Sequence, residues 1–121
     1  MKTFIYFLCY ILVNSLLLAT FSIVAVDKTT GEVGSAGGSC IAGSIIISDI
    51  HPGVGAIHTQ AYYLQANQNY ASTLMDQGYS PAEIIQLLEE NDVQNNPSIR
   101  QYGIVDLFRG NNYFHHRILL P

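Results

Sequence analysis

The chain has 121 residues, enough for one domain, and its nine acidic and five basic residues give a formal net charge of −4. Because nucleic-acid binding depends on lysine and arginine side chains that neutralise phosphates, this balance argues against a nucleic-acid partner. Its two cysteines are Cys9 and Cys40. If the first is lost with a cleaved leader, no intramolecular disulfide can form. Cys40 is then predicted to be a small buried hydrophobe, and the alternative is that it pairs between chains.

The beginning of the chain follows the pattern of a secretory signal peptide. A basic start at Lys2 precedes an apolar run over residues 4–18, and the small Ala19 suits the position before the cut. We therefore predict a signal peptide over residues 1–19, a mature chain that begins at Thr20, a secreted or periplasmic location, and no stable membrane partner after cleavage. The alternative is a membrane anchor through residues 4–26, because a spanning helix needs about 20 apolar residues.

The next segment predicts a β-hairpin. Residues 20–26 read as a strand that is apolar on both faces, so we expect it to be covered on both sides. Residues 27–32 form a tight turn in which Gly31 can adopt a positive φ, and a second strand starts at Val33.

A glycine-rich stretch over residues 31–43 leads into further short elements. Residues 45–47 are three isoleucines, which predict a buried strand or its end. Residues 48–53 are expected to form a turn, and residues 55–59 another strand.

The periodicity then changes from that of strands to that of helices. Residues 63–75 place several apolar side chains near one helical face, and Gly78 stands where a helix often ends. A second helix is predicted to begin at Ser80, which is followed by Pro81 and Glu83 as in a capping box. Its buried stripe comprises Ile84, Ile85, Leu87 and Leu88.

The last third returns to strand character. Residues 91–98 form a polar loop, and the acidic trio Glu89, Glu90 and Asp92 is interpreted as a solvated helix end. Residues 100–107 read as a strand, with a hairpin expected around residues 110–112. Strands, two helices and a further strand together predict an α+β layered fold.

Common motifs of catalysis and binding are incomplete in this chain. Residues 34–38 are rich in glycine, but no Lys-Ser or Lys-Thr follows as a phosphate loop requires. Residues 53–55 lack the third glycine of a dinucleotide fingerprint, and Ser39 lacks the flanking glycines of a hydrolase nucleophile elbow. No cofactor is therefore expected.

The four histidines do not follow a metal-binding spacing. His51 and His58 are seven residues apart across a Gly-Pro turn, and His115 and His116 point to opposite faces of any strand. We interpret them as surface histidines, with one hydrogen-bonded near the core, and predict no metal site.

Thr20 is the one residue whose position carries a specific chemistry. If the chain is cut after Ala19, Thr20 has a free α-amine beside its own hydroxyl. The hydroxyl can attack a carbonyl while the amine, with an ordinary pKa of about 7.7–8.0, accepts the proton. Thr20 is therefore the candidate catalytic residue.

Four blocks of sequence, in this order and spacing, resemble the domain-of-unknown-function 1028 family. They cover residues 20–34, 52–61, 78–83 and 100–106. The resemblance implies an N-terminal nucleophile hydrolase-like sandwich of two antiparallel sheets between helices, with Thr20 as the exposed nucleophile. No activity is established for the family as a whole. Lys28, in the predicted turn, is interpreted as a solvated residue without a catalytic role.

The chain departs from the family pattern after Asp106, where the family continues through a second half. Residues 20–121 are therefore expected to form a partial domain, incomplete at the C-terminus, whose uncovered face favours a homo-oligomer. The first hypothesis is a secreted hydrolase of amide or related acyl bonds in a small molecule or peptide. The alternative is a non-catalytic secreted module or an inactive truncated fragment of such a hydrolase.

Overall fold

The computed structural model describes residues 20–109, which form two antiparallel sheets, two α-helices and two short 3₁₀ segments. In chain order the elements are β1 (Phe21–Val26), β2 (Val33–Gly38), a 3₁₀ turn (Ser44–Ile47), β3 (Ser48–His51), β4 (Gly55–Gln60), α1 (Gln65–Asp76), α2 (Pro81–Glu90), a second 3₁₀ turn (Pro97–Ile99) and β5 (Gln101–Asp106). The predicted α+β class is confirmed. The predicted leader over residues 1–19 and the hairpin around residues 110–112 lie outside the described residues.

The predicted first hairpin is confirmed. β1 pairs with β2 from Phe21 opposite Gly38 to Val26 opposite Val33. The Asp27 carboxylate closes the turn by accepting the backbone N–H of Thr29 at 2.7 Å. Gly31 has a φ of 77°, which a side chain would disfavour. Lys28 is exposed in this turn, as expected for a solvated residue.

A three-stranded sheet in the order β3-β4-β5 forms the middle of the molecule. Every residue of β4 is buried, because the strand is covered on both faces. Its residues alternate between those faces: Ile57 packs with the helices, and Ala56 packs with Val24 of β1. The described chain therefore has three layers, with β1 and β2 on one side of the central sheet and the helices on the other.

Two expectations between β2 and β4 were wrong. Residues 44–47 form a 3₁₀ turn rather than a buried strand, and only Ile47 is buried. Three residues per turn point the successive isoleucines in different directions, so one alone reaches the core. Residues 48–51 form β3 rather than a turn, since the chain reverses only at Pro52 and Gly53, whose φ is 71°.

Both helices were predicted, with one boundary displaced. α2 begins with the expected capping box: Ser80 accepts the backbone N–H of Glu83, whose carboxylate accepts that of Ser80. Gly78, after α1, has a φ of 87°. α1 begins only at Gln65, because the preceding Ala61 and Tyr62 have φ values of 47° and 48°. Of the predicted stripe on α2, Ile84, Ile85 and Leu88 are fully buried and Leu87 is partly buried.

A buried ion pair fixes the loop between α2 and β5. Asp92 Oδ2 accepts from Arg100 Nε at 2.9 Å and from Asn67 Nδ2 at 2.6 Å. Asp92 Oδ1 accepts the backbone N–H groups of Gln94 and Asn96, both at 3.0 Å. The interpretation of Asp92 as solvated was therefore wrong. The sequence shows an acidic residue near the end of a helix, but it does not show that Arg100, eight residues further along the chain, is its buried partner.

Contrary to prediction, residues 20–109 leave the outer face of β1 exposed. Phe21 and Ile23 are 68% and 64% exposed, whereas Val24 on the opposite face is buried. The strand is thus apolar on both faces but buried on one. Within residues 20–109, no helix has the length and apolar character needed to cross a membrane.

The packing of β2 generates a first prediction. A Cβ added to Gly37 would lie 2.7 Å from the Phe21 carbonyl oxygen and 3.0 Å from His58 Cε1, so the backbone would have to shift. Gly37→Ala should lower the free energy of unfolding by about 1–3 kcal/mol. The matched control is Gly34→Ala in the same strand, where a Cβ meets nothing within 4 Å. It should leave stability unchanged or raise it by up to about 1 kcal/mol. Equal urea-unfolding midpoints for the two variants would contradict this account.

The buried ion pair generates a second prediction. Asp92→Asn leaves the Arg100 guanidinium buried without its counter-charge, which should cost about 3–5 kcal/mol of unfolding free energy. The control Glu90→Gln, on the exposed end of α2, should change it by less than about 0.5 kcal/mol.

The unfolding free energy that Asp92→Asn loses should also depend on pH. Burial raises the pKa of Asp92, but hydrogen bonds from Arg100, Asn96, Asn67 and Gln94 outweigh it and hold the pKa far below 3.8. The unfolded chain takes up the proton near its ordinary pKa and the folded chain resists it, so the stabilisation is complete above about pH 4 and declines below it. Denaturant titrations of wild type and Asp92→Asn should converge as the pH falls through that range; a constant difference would refute the assignment.

Candidate functional site

A cavity of about 400 Å³ is lined by the start of β1 and by residues of β4 and β5. The lining residues are Thr20, Phe21, Ser22, Ile23, Val24, His58, Gln60, Gln101, Tyr102 and Gly103. None of these side chains carries a formal charge while His58 is neutral.

Thr20, the predicted catalytic residue, lies at the edge of this cavity. It directly precedes β1 and is half-buried, and its Oγ1 lies 3.0 Å from Ser39 Oγ. The hairpin register explains this contact. Phe21 is opposite Gly38, so the next pair along the ladder brings Thr20 to Ser39. The residues around Ser39 in the sequence gave no indication that it lies beside Thr20.

Two further polar side chains join β1 to the central sheet inside the cavity. The Gln60 side-chain amide, at the end of β4, donates a hydrogen bond to Ser22 Oγ. Gln60 is buried, so this bond satisfies a polar group that would otherwise be costly to remove from water. It also positions the start of β1, and with it Thr20, over the cavity.

His58 lies in an environment that its place in the sequence did not indicate. It is buried on β4, directly under Gly37, and neither ring nitrogen has a hydrogen-bond partner. Burial lowers the pKa of His58 below 6.5, so the imidazole is neutral at pH 7. The ring also lines a second cavity of about 330 Å³, on the side of Ser35 and Ser48. The expectation of a surface histidine was wrong here, because β4 is covered on both faces.

His51 has a different environment, on the helix side of the central sheet. Its Nδ1 lies 2.6 Å from Asp76 Oδ1, and its Nε2 lies 3.1 Å from Ser72 Oγ. It therefore fits the expected histidine that is hydrogen-bonded near the core. The serine, histidine and aspartate resemble a catalytic triad in order, but Ser72 lies inside α1, where the neighbouring backbone N–H groups are committed to the helix. We assign this cluster to joining β3 with α1.

The other residues considered from sequence lie apart from the cavity or outside the description. Cys40 is exposed, contrary to prediction, because it follows β2 in the loop before the 3₁₀ turn. His115 and His116 lie outside the described residues. Across residues 20–109, no three histidine, cysteine, aspartate or glutamate side chains converge as a metal site requires.

Comparison with known proteins identifies a family. No curated protein and no solved structure matches the chain significantly. The model of a family of unknown function, DUF1028, matches residues 20–116, in agreement with the four sequence blocks. Because this match spans most of the chain and begins at Thr20, the protein belongs to the DUF1028 family of unknown function.

Proposed function

We propose that the protein is an exported hydrolase of amide or related acyl bonds in which Thr20, as the first residue of the mature chain, is the nucleophile. The observation that carries the proposal is the position of Thr20. Thr20 lines a cavity of about 400 Å³, within the range of small-molecule sites. The family match begins at the same residue.

A free terminus at Thr20 supplies both the nucleophile and its base. The α-amine takes the hydroxyl proton, directly or through water, as Oγ1 attacks the carbonyl carbon. Collapse of the tetrahedral intermediate breaks the acyl bond, and the leaving amine or alcohol departs with that proton. Water then attacks the resulting ester on Thr20, which releases the acid and restores the hydroxyl. Ser39 Oγ, 3.0 Å from Thr20 Oγ1, supports this chemistry by holding the hydroxyl at the cavity edge.

The alternative is a non-catalytic secreted module or an inactive fragment that works through association. The apolar outer face of β1, where Phe21 and Ile23 are exposed, favours this second function. A face of this kind is more typical of a contact surface than of a strand that remains in water.

The catalytic proposal predicts the behaviour of two substitutions at one position. Thr20→Ala should abolish covalent labelling by an electrophile that reacts with terminal threonine, such as an epoxyketone or β-lactone, because no hydroxyl remains. Thr20→Ser should retain part of the labelling. Thr29→Ala, in the exposed turn, is the matched control and should label like wild type. Intact-mass and peptide mass spectrometry of the exported protein measure both the label and the first residue.

Two results would overturn the catalytic proposal. One is a mature protein that begins at any residue other than Thr20. The other is equal labelling of wild type and Thr20→Ala.

The alternative predicts self-association through the outer face of β1. Ile23→Thr should shift the protein toward monomer in sedimentation-velocity experiments, because it removes apolar surface from an exposed position. Lys28→Thr, in the exposed turn, is the control and should not change the distribution. A wild-type chain that is monomeric at all concentrations would reject this alternative.

A further inference from the structure

We propose that the cavity beside Thr20 binds an extended polypeptide, which pairs with the open edge of β1 as an additional strand. This inference names the substrate class of the proposed hydrolase and rests on that function for the reaction, whereas the binding itself does not require turnover. It starts from the edges of the two sheets and from the way the cavity follows them.

The first step identifies the backbone groups at the edge of β1. Within residues 20–109, β2 is the only strand paired with β1. The Asp27 N–H donates to the Glu32 carbonyl at 2.8 Å, and hydrogen-bonded pairs alternate along an antiparallel ladder. The backbone of Ile23 therefore bonds to β2, whereas the N–H and C=O groups of Ser22 and Val24 point away from it. Groups of this kind are the template to which a further strand adds.

The second step places the cavity along this edge. Its lining includes residues 20–24 in unbroken succession, and likewise residues 101–103 of β5. Successive side chains of a strand alternate between its faces, so a cavity on one face would contact only every other residue. Contact with consecutive residues indicates a cavity that runs along strand edges. β5 is also an edge strand in the described part of the chain, because β4 is its one neighbour there.

The third step is the stagger between the two sheets. β2 lies over β3, where Ser35 Oγ and Ser48 Oγ are 2.7 Å apart. β1 lies over β4 and the near side of β5, because Val24 packs with Ala56 and Val105. The hairpin has two strands and the central sheet has three, so β5 projects beyond β1. A strand hydrogen-bonded to β1, about 4.8 Å away, would lie over this projecting part of β5.

The stagger also favours a single strand over a second copy of this protein. A twofold dimer that paired β1 with its copy would place the two β1 strands about 4.8 Å apart. Because each β5 projects past its own β1, the two β5 strands would then occupy the same space. An isolated extended chain has no second layer and meets no such obstacle.

The space over β5 is suited to the backbone of another chain. Gly103 lines the cavity, and a Cβ added to it would lie 3.7 Å from Val24 Cγ2, so it faces the hairpin. A glycine within a strand often marks a place where another backbone approaches closely. Thr20 lines the same cavity and directly precedes β1. A peptide paired with β1 would therefore extend along the strand to the proposed nucleophile and its α-amine.

The experiment uses the exported full chain carrying Thr20→Ala, which keeps a terminal α-amine but prevents turnover. The probe is a hexapeptide of alternating threonine and valine, acetylated and amidated so that neither end presents a charge to that amine. Binding is followed by amide hydrogen exchange in ¹⁵N-labelled protein. Saturating peptide should slow exchange of the Val24 amide by about tenfold or more, because this amide gains a partner. Exchange of the Ile23 amide, already paired with β2, should stay within about twofold.

Modified peptides test whether backbone pairing carries the binding. N-methylation of every residue removes all the backbone donors, so this peptide should bind about tenfold more weakly or less. Successive N–H groups of an extended chain point to opposite edges, so N-methylation of alternate residues leaves one edge intact. The alternately methylated peptide should therefore bind within a few-fold of the unmodified one.

Substitutions at two glycines test the position over β5. Gly103→Leu should weaken peptide binding by about tenfold or more, because its side chain occupies the space that the added strand needs. Gly103→Ala should bind within a few-fold of the parent, since its Cβ makes only an ordinary contact. Gly34→Leu is the matched control, at an exposed position of β2 where a Cβ meets nothing within 4 Å, and it should bind like the parent. Thermal unfolding of each variant verifies that it is folded.

Several outcomes would overturn the inference. One is a Val24 amide that is equally protected without peptide, which would mean that this chain or a second copy already covers the edge. The others are no saturable binding, equal binding of the fully methylated peptide, or equal binding by a folded Gly103→Leu variant. The result is separable from the catalytic proposal. Strand binding with no electrophile labelling of Thr20 rejects the reaction alone, whereas labelling without strand binding rejects the substrate class alone.

Discussion

The alternation of β4 is the constraint on which the rest of the structure depends. Each successive side chain of a strand points to the opposite face, and in β4 both faces are buried. Ile57 and Thr59 therefore contribute to the helix side, where Thr59 donates to Gln68 of α1. Ala56 and His58 contribute to the side of β1 and β2. A shift of one residue in register would exchange the two sets, placing Ile57 against the first hairpin.

The same alternation gives the site its composition. On the helix side the central sheet meets an apolar core that is closed by the Asp92–Arg100 pair. On the other side it meets a hairpin rich in glycine, whose small residues approach closely but fill little space. The cavity, His58 and the start of β1 all lie on that second side. The molecule thus combines a well-packed half that provides stability with a more open half where chemistry is possible.

The candidate site was predictable in part from sequence. Thr20 was identified from the leader pattern and from the chemistry of a terminal threonine, both of which are local. Its neighbour Ser39 was not, although the hairpin turn at Gly31 fixes a register that places them side by side. The predicted turn sets which residues of β1 and β2 are opposite each other. Pairing the residues outward from Val26 and Val33 leads to Thr20 and Ser39. His58 gave no such signal, because an isolated histidine in a short strand is compatible with either burial or exposure.

Sequence alone determined the features that depend on neighbours along the chain. These include the turn at Gly31, the cap at Ser80, the end of α1 at Gly78, and the α+β class, since backbone preferences and short-range hydrogen bonds decide them. Tertiary structure alone decided which faces are covered. Phe21 is exposed, Asp92 is buried beside Arg100, and His58 is enclosed between two sheets. The physical reason is that burial depends on layers contributed by distant segments, and an apolar or polar pattern does not specify which segment will provide the cover.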